Sequence, residues 1–199
     1  MRSAFLWVDV QNDFLPGGSL AVPDGDKILK EILDVSNGDP HIPRIWTMDW
    51  HPANHCSFST WPAHCIQWTE GADISSAFDS IREGDFVVKK GKNPKFDSYS
   101  AFYDDGGEST GLTQFLRLRR CDTLYVGGLA TEYCVKATVL DAIKDGFKVV
   151  VLADCCRGIT EDGSKIALQE MFTAGAAIRG SYLTSHLTPV NASIKGEDE

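Results

Sequence analysis

TLYVGGLATEYCVKATVLDAIKDGFKVVVLAD, residues 123–154, reads as strand, glycine-rich turn, helix and second strand in one unbroken run. The apolar blocks at 123–126 and 148–152 have the length and β-branched character of buried strands. Between them Val135, Val139, Ala142 and Ile143 recur at i, i+4, i+7 and i+8, the inward face of a helix. Gly146 stops that helix, and Thr131 is placed to act as its N-cap. The unit is strand, crossover helix and strand, which builds parallel sheet.

Four more apolar runs extend the pattern outward: AFLWVDV (4–10), RIWTMDW (44–50), DFVVKKG (85–91) and AAIRGSYLT (176–184). Helical patterns fall between them at 24–36, 71–81, 109–120 and 164–175. Such alternation predicts an α/β fold in three layers (α/β/α), a central six-stranded, mostly parallel sheet with helices on both faces. No composition break marks a linker, so residues 1–199 read as one domain with a loosely held polar tail, NASIKGEDE, from about 190. Two long irregular loops remain, 49–65 and 91–107, and long loops in compact domains are often functional.

Composition excludes several classes. At 43% hydrophobic and 24% charged the chain is not disordered, and a net charge of -9 offers no footprint for nucleic acid. No run approaches the roughly 20 apolar residues of a membrane helix. The apolar start is interrupted by Asp9 and lacks a small-residue cleavage site, so it is a poor signal peptide. Six cysteines without a C-x-x-C pair read as reduced thiols, which with the other features predicts a cytoplasmic protein. LPGGS (15–19) is not a G-x-G-x-x-G turn and no G-x-x-x-x-G-K occurs, so dinucleotide and nucleoside-triphosphate binding lose support. A small polar substrate fits better than a polyanion.

In open parallel sheets ligands bind at the carboxyl ends of the strands. There the sequence delivers Asp9, then Asp49 followed by His51, then Lys90, then Cys134 beyond Gly127 and Gly128. A thiol in the first helical turn meets backbone N–H groups and the positive end of the helix dipole, which favour thiolate and nucleophilic chemistry. The N–H groups around Ala130 and Cys134 could hold an oxyanion, and a carboxylate such as Asp9 could take and return the thiol proton beside the Lys90 ammonium. Asp49, His51, His55 and His64 crowd the 49–65 loop, supplying a ligand set with open positions for zinc, manganese or ferrous iron. Cys56 and Cys65 lack the spacing of a closed structural zinc site. Phe14, Trp61 and Tyr99 fall near the same edge and could hold a flat ring.

Five ordered stretches, WVDVQNDFLPGGSLAV, DWHPANHCSF, WPAHC, KKGKNPKFDSYSAF and GGLATEYCVKATVLDA, together resemble the nicotinamidase branch of the isochorismatase-like cysteine hydrolases over nearly the whole chain. The resemblance implies a six-stranded parallel sheet and a catalytic Asp9, Lys90 and Cys134. It implies metal ligands Asp49, His51 and His64, with Ser57 or His55 as additional candidates, for one divalent ion such as zinc, iron or manganese. It also implies a cis peptide before Ala130, the Ala130 and Cys134 N–H groups as oxyanion hole, and a ring held by Phe14 and Trp61 with Tyr99 lining the pocket. The implied reaction is metal-assisted hydrolysis of nicotinamide to nicotinate and ammonia in NAD salvage, with pyrazinamide a second substrate and homo-oligomers compatible. A sister amidohydrolase using the same thiol on another amide or ureide is the nearest alternative, and a non-catalytic metal-binding or thiol-sensing domain a more distant one. Glu132 and Tyr133 receive no assignment.

Overall fold

A computed structural model of the chain describes residues 2–78 and 85–180. Six strands, β1 (Arg2–Val8), β2 (Arg44–Asp49), β3 (Phe86–Lys90), β4 (Cys121–Leu129), β5 (Lys148–Arg157) and β6 (Ala177–Arg179), form one sheet in the order β3-β2-β1-β4-β5-β6. Every neighbouring pair is parallel. The chain therefore builds outward from β1 to one edge, then returns to lay β4 on the other side of β1. That reversal opens a crevice beyond the carboxyl ends of β1 and β4, where such sheets bind their ligands.

The period-2 alternation of β1 decides which side chains go to which layer. Ala4, Leu6 and Val8 pack with Leu112 and Leu116 of α2 (Leu112–Leu118), Val139 and Ala142 of α3 (Lys136–Lys144), and Leu168 and Met171 of α4 (Glu161–Thr173). Phe5 and Trp7 enter the opposite core with Ile28 and Ile32 of α1 (Lys27–Gly38). Burial on both faces explains why these strands read as continuous apolar runs. Two glycines let β4 close against β1. At Gly127 a Cβ would sit 2.9 Å from the Trp7 ring, and at Gly128, with φ +133°, it would sit 2.0 Å from the Val8 carbonyl oxygen.

Gly146 ends α3 as expected. It takes φ +87°, and Phe147 N–H returns to the Ala142 carbonyl at 3.0 Å, a left-handed helix stop. At the start of α4, the Thr160 side chain accepts from Gly163 N–H at 3.0 Å. Replacing Thr160 with alanine is expected to cost about 1 kcal/mol in urea unfolding, the usual worth of such a cap. An unchanged midpoint would remove that cap from the stability of the domain.

Two expectations are corrected. No helix spans the described part of 71–81: Glu70–Ala72 forms a single 3-10 turn, and the following backbone bonds to the segment after β1 instead. Asn12 N–H donates to the Asp73 carbonyl and Ser75 N–H to that of Val10, both at 3.0 Å, so a tertiary pairing replaces the local helix. Thr131 is not an N-cap. Extended Ala130 occupies that position, and residues Thr131–Val135 wind as a π-helical turn closed by Val135 N–H on the Ala130 carbonyl at 3.2 Å. The sixth strand is confirmed over Ala177–Arg179, while 79–81 of the expected helix, 181–184 and the expected tail from about 190 lie outside the described residues.

Candidate active site

Lys90, the last residue of β3, is buried to 1% exposure. Its ammonium lies 2.5 Å from Asp49 Oδ1, 2.9 Å from Asp9 Oδ2, 2.7 Å from the Ser98 carbonyl and 3.5 Å from Cys134 Sγ. Burial alone would discharge it, but the two carboxylates outweigh that cost and hold its pKa well above the ordinary lysine value. A buried ammonium of this kind persists only because its charge is matched on the spot.

Asp9 follows β1 directly and takes φ +50°, a left-handed conformation that aspartate tolerates better than most residues. Thr47 of β2 fixes it twice: the hydroxyl accepts from Asp9 N–H at 3.0 Å and donates to Asp9 Oδ1 at 2.5 Å. Complete burial raises the Asp9 pKa, only partly offset by Lys90, so it is a stronger base than a solvated carboxylate. Carboxylate oxygens of Asp9 and Asp49 and the Cys134 sulfur lie within 4.8 Å of one another.

Cys134 stands in the π-helical turn that follows β4, at 6% exposure. The helix start predicts a thiolate. The structure corrects this: burial and the two carboxylates push the thiol well above its ordinary pKa, and Lys90 only partly opposes them. Activation of a sulfur held this way falls to a neighbouring base, and an Asp9 carboxylate oxygen lies within 4.8 Å of it. The peptide bond between Leu129 and Ala130 is cis, as the resemblance implies.

The histidine loop comes together with Asp49 beside this cluster. Ligand atoms of Asp49, His51 and His64 lie within 4.8 Å of one another, and all three residues are buried. His51 Nδ1–H donates to the Gly91 carbonyl at 2.9 Å and His64 Nδ1–H to that of Pro62 at 2.7 Å, which leaves each Nε2 with its lone pair forward. His51 Nε2 is buried without a hydrogen-bond partner, the condition expected of an imidazole that serves a metal. Two imidazoles and a carboxylate fit a divalent ion such as zinc. Gly91 permits this arrangement, because a Cβ there would fall 2.4 Å from the His51 ring. Burial would raise Asp49, but the Lys90 ammonium beside it outweighs that cost and holds it below the ordinary carboxylate range. Ser57 and His55 are turned toward each other instead: Ser57 Oγ donates to His55 Nδ1 at 2.7 Å, while His55 Nε2–H reaches the Phe96 carbonyl at 3.2 Å. His55 stacks on His51, ring centroids 4.0 Å apart, and backs it.

A small, mostly apolar pocket opens onto Cys134, lined by Phe14, Trp61, Tyr99, Tyr133 and Ile159, with Asp49 and His64 also on its wall. Trp61 Nε1–H donates to Tyr99 Oη at 3.1 Å, and Trp61 meets the Tyr133 ring edge-on at 5.4 Å. A roomier cavity of about 900 Å³, lined by α1, α4 and the end of β5, contains none of Asp9, Lys90 and Cys134. Sequence reading missed the supports. Thr47 orients Asp9; Gln11 pairs with the backbone of Asp49; Asp13 accepts from Cys65 N–H at 2.7 Å and anchors the loop next to His64. The polar QNDF run directly after an apolar strand hinted at Gln11 and Asp13, and nothing in the sequence marked Thr47.

Residues 3–181 match the family model described as Isochorismatase domain. Among curated proteins, the nicotinamidase of Escherichia coli is 42% identical over 202 residues, covering 88% of this chain and 93% of that protein. Among solved structures, PnC1 from L. infantum in complex with nicotinate superposes with a TM-score of 0.86 at 38% identity, covering 91% of this chain and 93% of that one. The pyrazinamidase of Pyrococcus horikoshii in complex with zinc gives 0.82 at 38% identity, over 90% and 99% of the two chains.

Proposed function

The chain belongs to the isochorismatase family, and from that footing we infer that it is a nicotinamidase, a cysteine amidohydrolase that converts nicotinamide to nicotinate and ammonia and so feeds NAD salvage. The observation that carries the reading is that Cys134, with the Lys90 ammonium 3.5 Å from its sulfur and an Asp9 carboxylate oxygen within 4.8 Å, opens onto a small aromatic pocket that Asp49 and His64 also line.

The pyridine ring enters between Phe14 and Trp61, with Tyr99 on the pocket wall, and its carboxamide carbon faces Cys134. Asp9 takes the thiol proton as sulfur attacks. The resulting oxyanion is held by the N–H groups of Ala130 and Cys134, the kind of fixed donor pair that stabilises charge as it develops. Asp9 returns the proton to the amide nitrogen, the C–N bond breaks, and ammonia leaves a thioester on Cys134. Water, deprotonated by Asp9, then attacks the thioester carbon; nicotinate departs and the thiol regains its proton. Lys90 stays charged throughout, offsetting whichever of Asp9 and Cys134 is anionic. Asp49, His51 and His64 would hold a divalent ion, zinc in our reading, which would supply a Lewis acid for the ring nitrogen. Pyrazinamide carries the same amide on a similar ring and is a second substrate.

Ammonia release from nicotinamide, measured with and without chelator, tests this function. We expect chelation to reduce turnover and added zinc to restore it; a protein that releases no ammonia from nicotinamide refutes the assignment. Asp49→Ala should bind at least about tenfold less zinc by elemental analysis after dialysis, in the range of a lost metal contact. Unchanged stoichiometry would remove Asp49 from the ligand set.

A further inference from the structure

Glu132 lies two residues before the nucleophile, but its side chain turns away from Cys134 and reaches the segment that follows β5. There Oε1 accepts from Ile159 N–H at 2.9 Å and Thr160 N–H at 3.1 Å. Gly158 makes room for this approach: a Cβ there would lie 2.1 Å from Glu132 Oε2. The carboxylate is not substituting for the cap of α4, because the Thr160 side chain already takes Gly163 N–H at 3.0 Å. It holds the backbone just ahead of that helix instead.

What that backbone carries is a wall of the substrate pocket. Ile159 lines the same pocket as Cys134, and so does Tyr133, the residue between Glu132 and the nucleophile. We propose that Glu132 is a positioning residue that ties the Ile159 wall to the nucleophile's own turn, so that pocket width and thiol position are set by one part. The proposal rests on the nicotinamidase reading for its substrate and deepens it, adding a specificity determinant outside Asp9, Lys90, Cys134 and the metal ligands. Two backbone donors meet Oε1 while Oε2 is buried without a hydrogen-bond partner, so the tie runs through an acceptor at Oε1. Glutamine can supply that acceptor; alanine cannot.

Two measurements test it. Hydrogen exchange by mass spectrometry needs no turnover: the Ile159 and Thr160 amides should exchange faster in Glu132→Ala and as in the parent in Glu132→Gln. Steady-state kinetics on nicotinamide read the consequence. Glu132→Ala and Ile159→Ala should each raise KM by about tenfold with kcat changed less than about threefold, and the double variant should be no worse than about the larger single effect, the mark of residues acting as a unit. Gly158→Ala, whose Cβ would fall 2.1 Å from both Glu132 Oε2 and Ser164 Oγ, should reproduce the KM rise even in a Ser164→Ala background that removes the second clash, and guards against Glu132→Ala failing to fold. Unchanged amide exchange in Glu132→Ala, a KM unmoved in Gly158→Ala, or effects that multiply in the double variant would each overturn the proposal. An inactive parent protein with the exchange pattern intact would count against the nicotinamidase reading and leave the tie between Glu132 and Ile159 standing.

Discussion

Cys134→Ala is expected to lower kcat for ammonia release from nicotinamide by at least about 10⁴-fold, in the range seen when the nucleophile of a covalent mechanism is removed. The size of the loss follows from the site. Five other cysteines are present, but none of them lines the pocket, so no second thiol can take over the attack. The Asp9, Lys90 and Asp49 cluster survives the substitution, and only a single buried sulfur is lost from the core. The variant should therefore melt close to the parent and still bind nicotinate, which equilibrium dialysis would read. Retention of a tenth of parental turnover would exclude the thioester route.

Lys90→Met should have the largest effect on stability. The ammonium stands between two buried carboxylates, Asp9 and Asp49, with Asp9 at 0% exposure. Methionine fills much of the volume but leaves both carboxylates unmatched, and breaking a buried pair by removing one partner costs about 3–5 kcal/mol. Urea unfolding of the metal-free protein at neutral pH should show that loss, with activity lost alongside it. The pH dependence has a defined sign. Without Lys90 the two carboxyl groups titrate higher in the folded state than their unfolded value of about 3.9. The folded variant then holds protons the unfolded chain does not, so the deficit is full above the raised pKa values and shrinks as pH falls toward about 4. A loss below about 1 kcal/mol at neutral pH would mean that the carboxylates are matched by some other group.

The sheet was legible in the sequence because the central strands β1 and β2 are buried on both faces, which writes them as apolar runs, while the crossover helices read as periodic stripes. The ends of those strands were legible for the same reason: Asp9, Asp49 and Lys90 interrupt apolar runs at the places where the strands stop. Less visible were features that depend on what a segment meets. Residues 71–78 carry enough apolar spacing for a helix, yet the Asp73 carbonyl and the Ser75 N–H bond to Asn12 and Val10, partners some sixty positions away. Thr131 has cap chemistry, but the extended Ala130 and the π-helical turn shift the helix start past it. The protonation of Cys134 was misread because a helix-start argument assumes a solvated thiol, and burial beside two carboxylates reverses its direction. Glu132 was unreadable locally, since its partners at Ile159 and Thr160 lie beyond α3 and β5.

The placement of β4 beside β1 also has a consequence for the order in which competence arises during folding. β1, β2 and β3 neighbour one another through short-range crossovers, and so do β4, β5 and β6, whereas the β1–β4 contact pairs Ser3 with Thr123. Closing that seam spans more than half the chain, the kind of distant pairing that folds slowly. Every acid, base and metal ligand assigned above lies on the first half of the chain, and the thiol on the second. On the proposed mechanism, a growing or partly refolded chain thus keeps its sulfur apart from the groups that would activate it, and the appearance of turnover would mark the moment the two halves join.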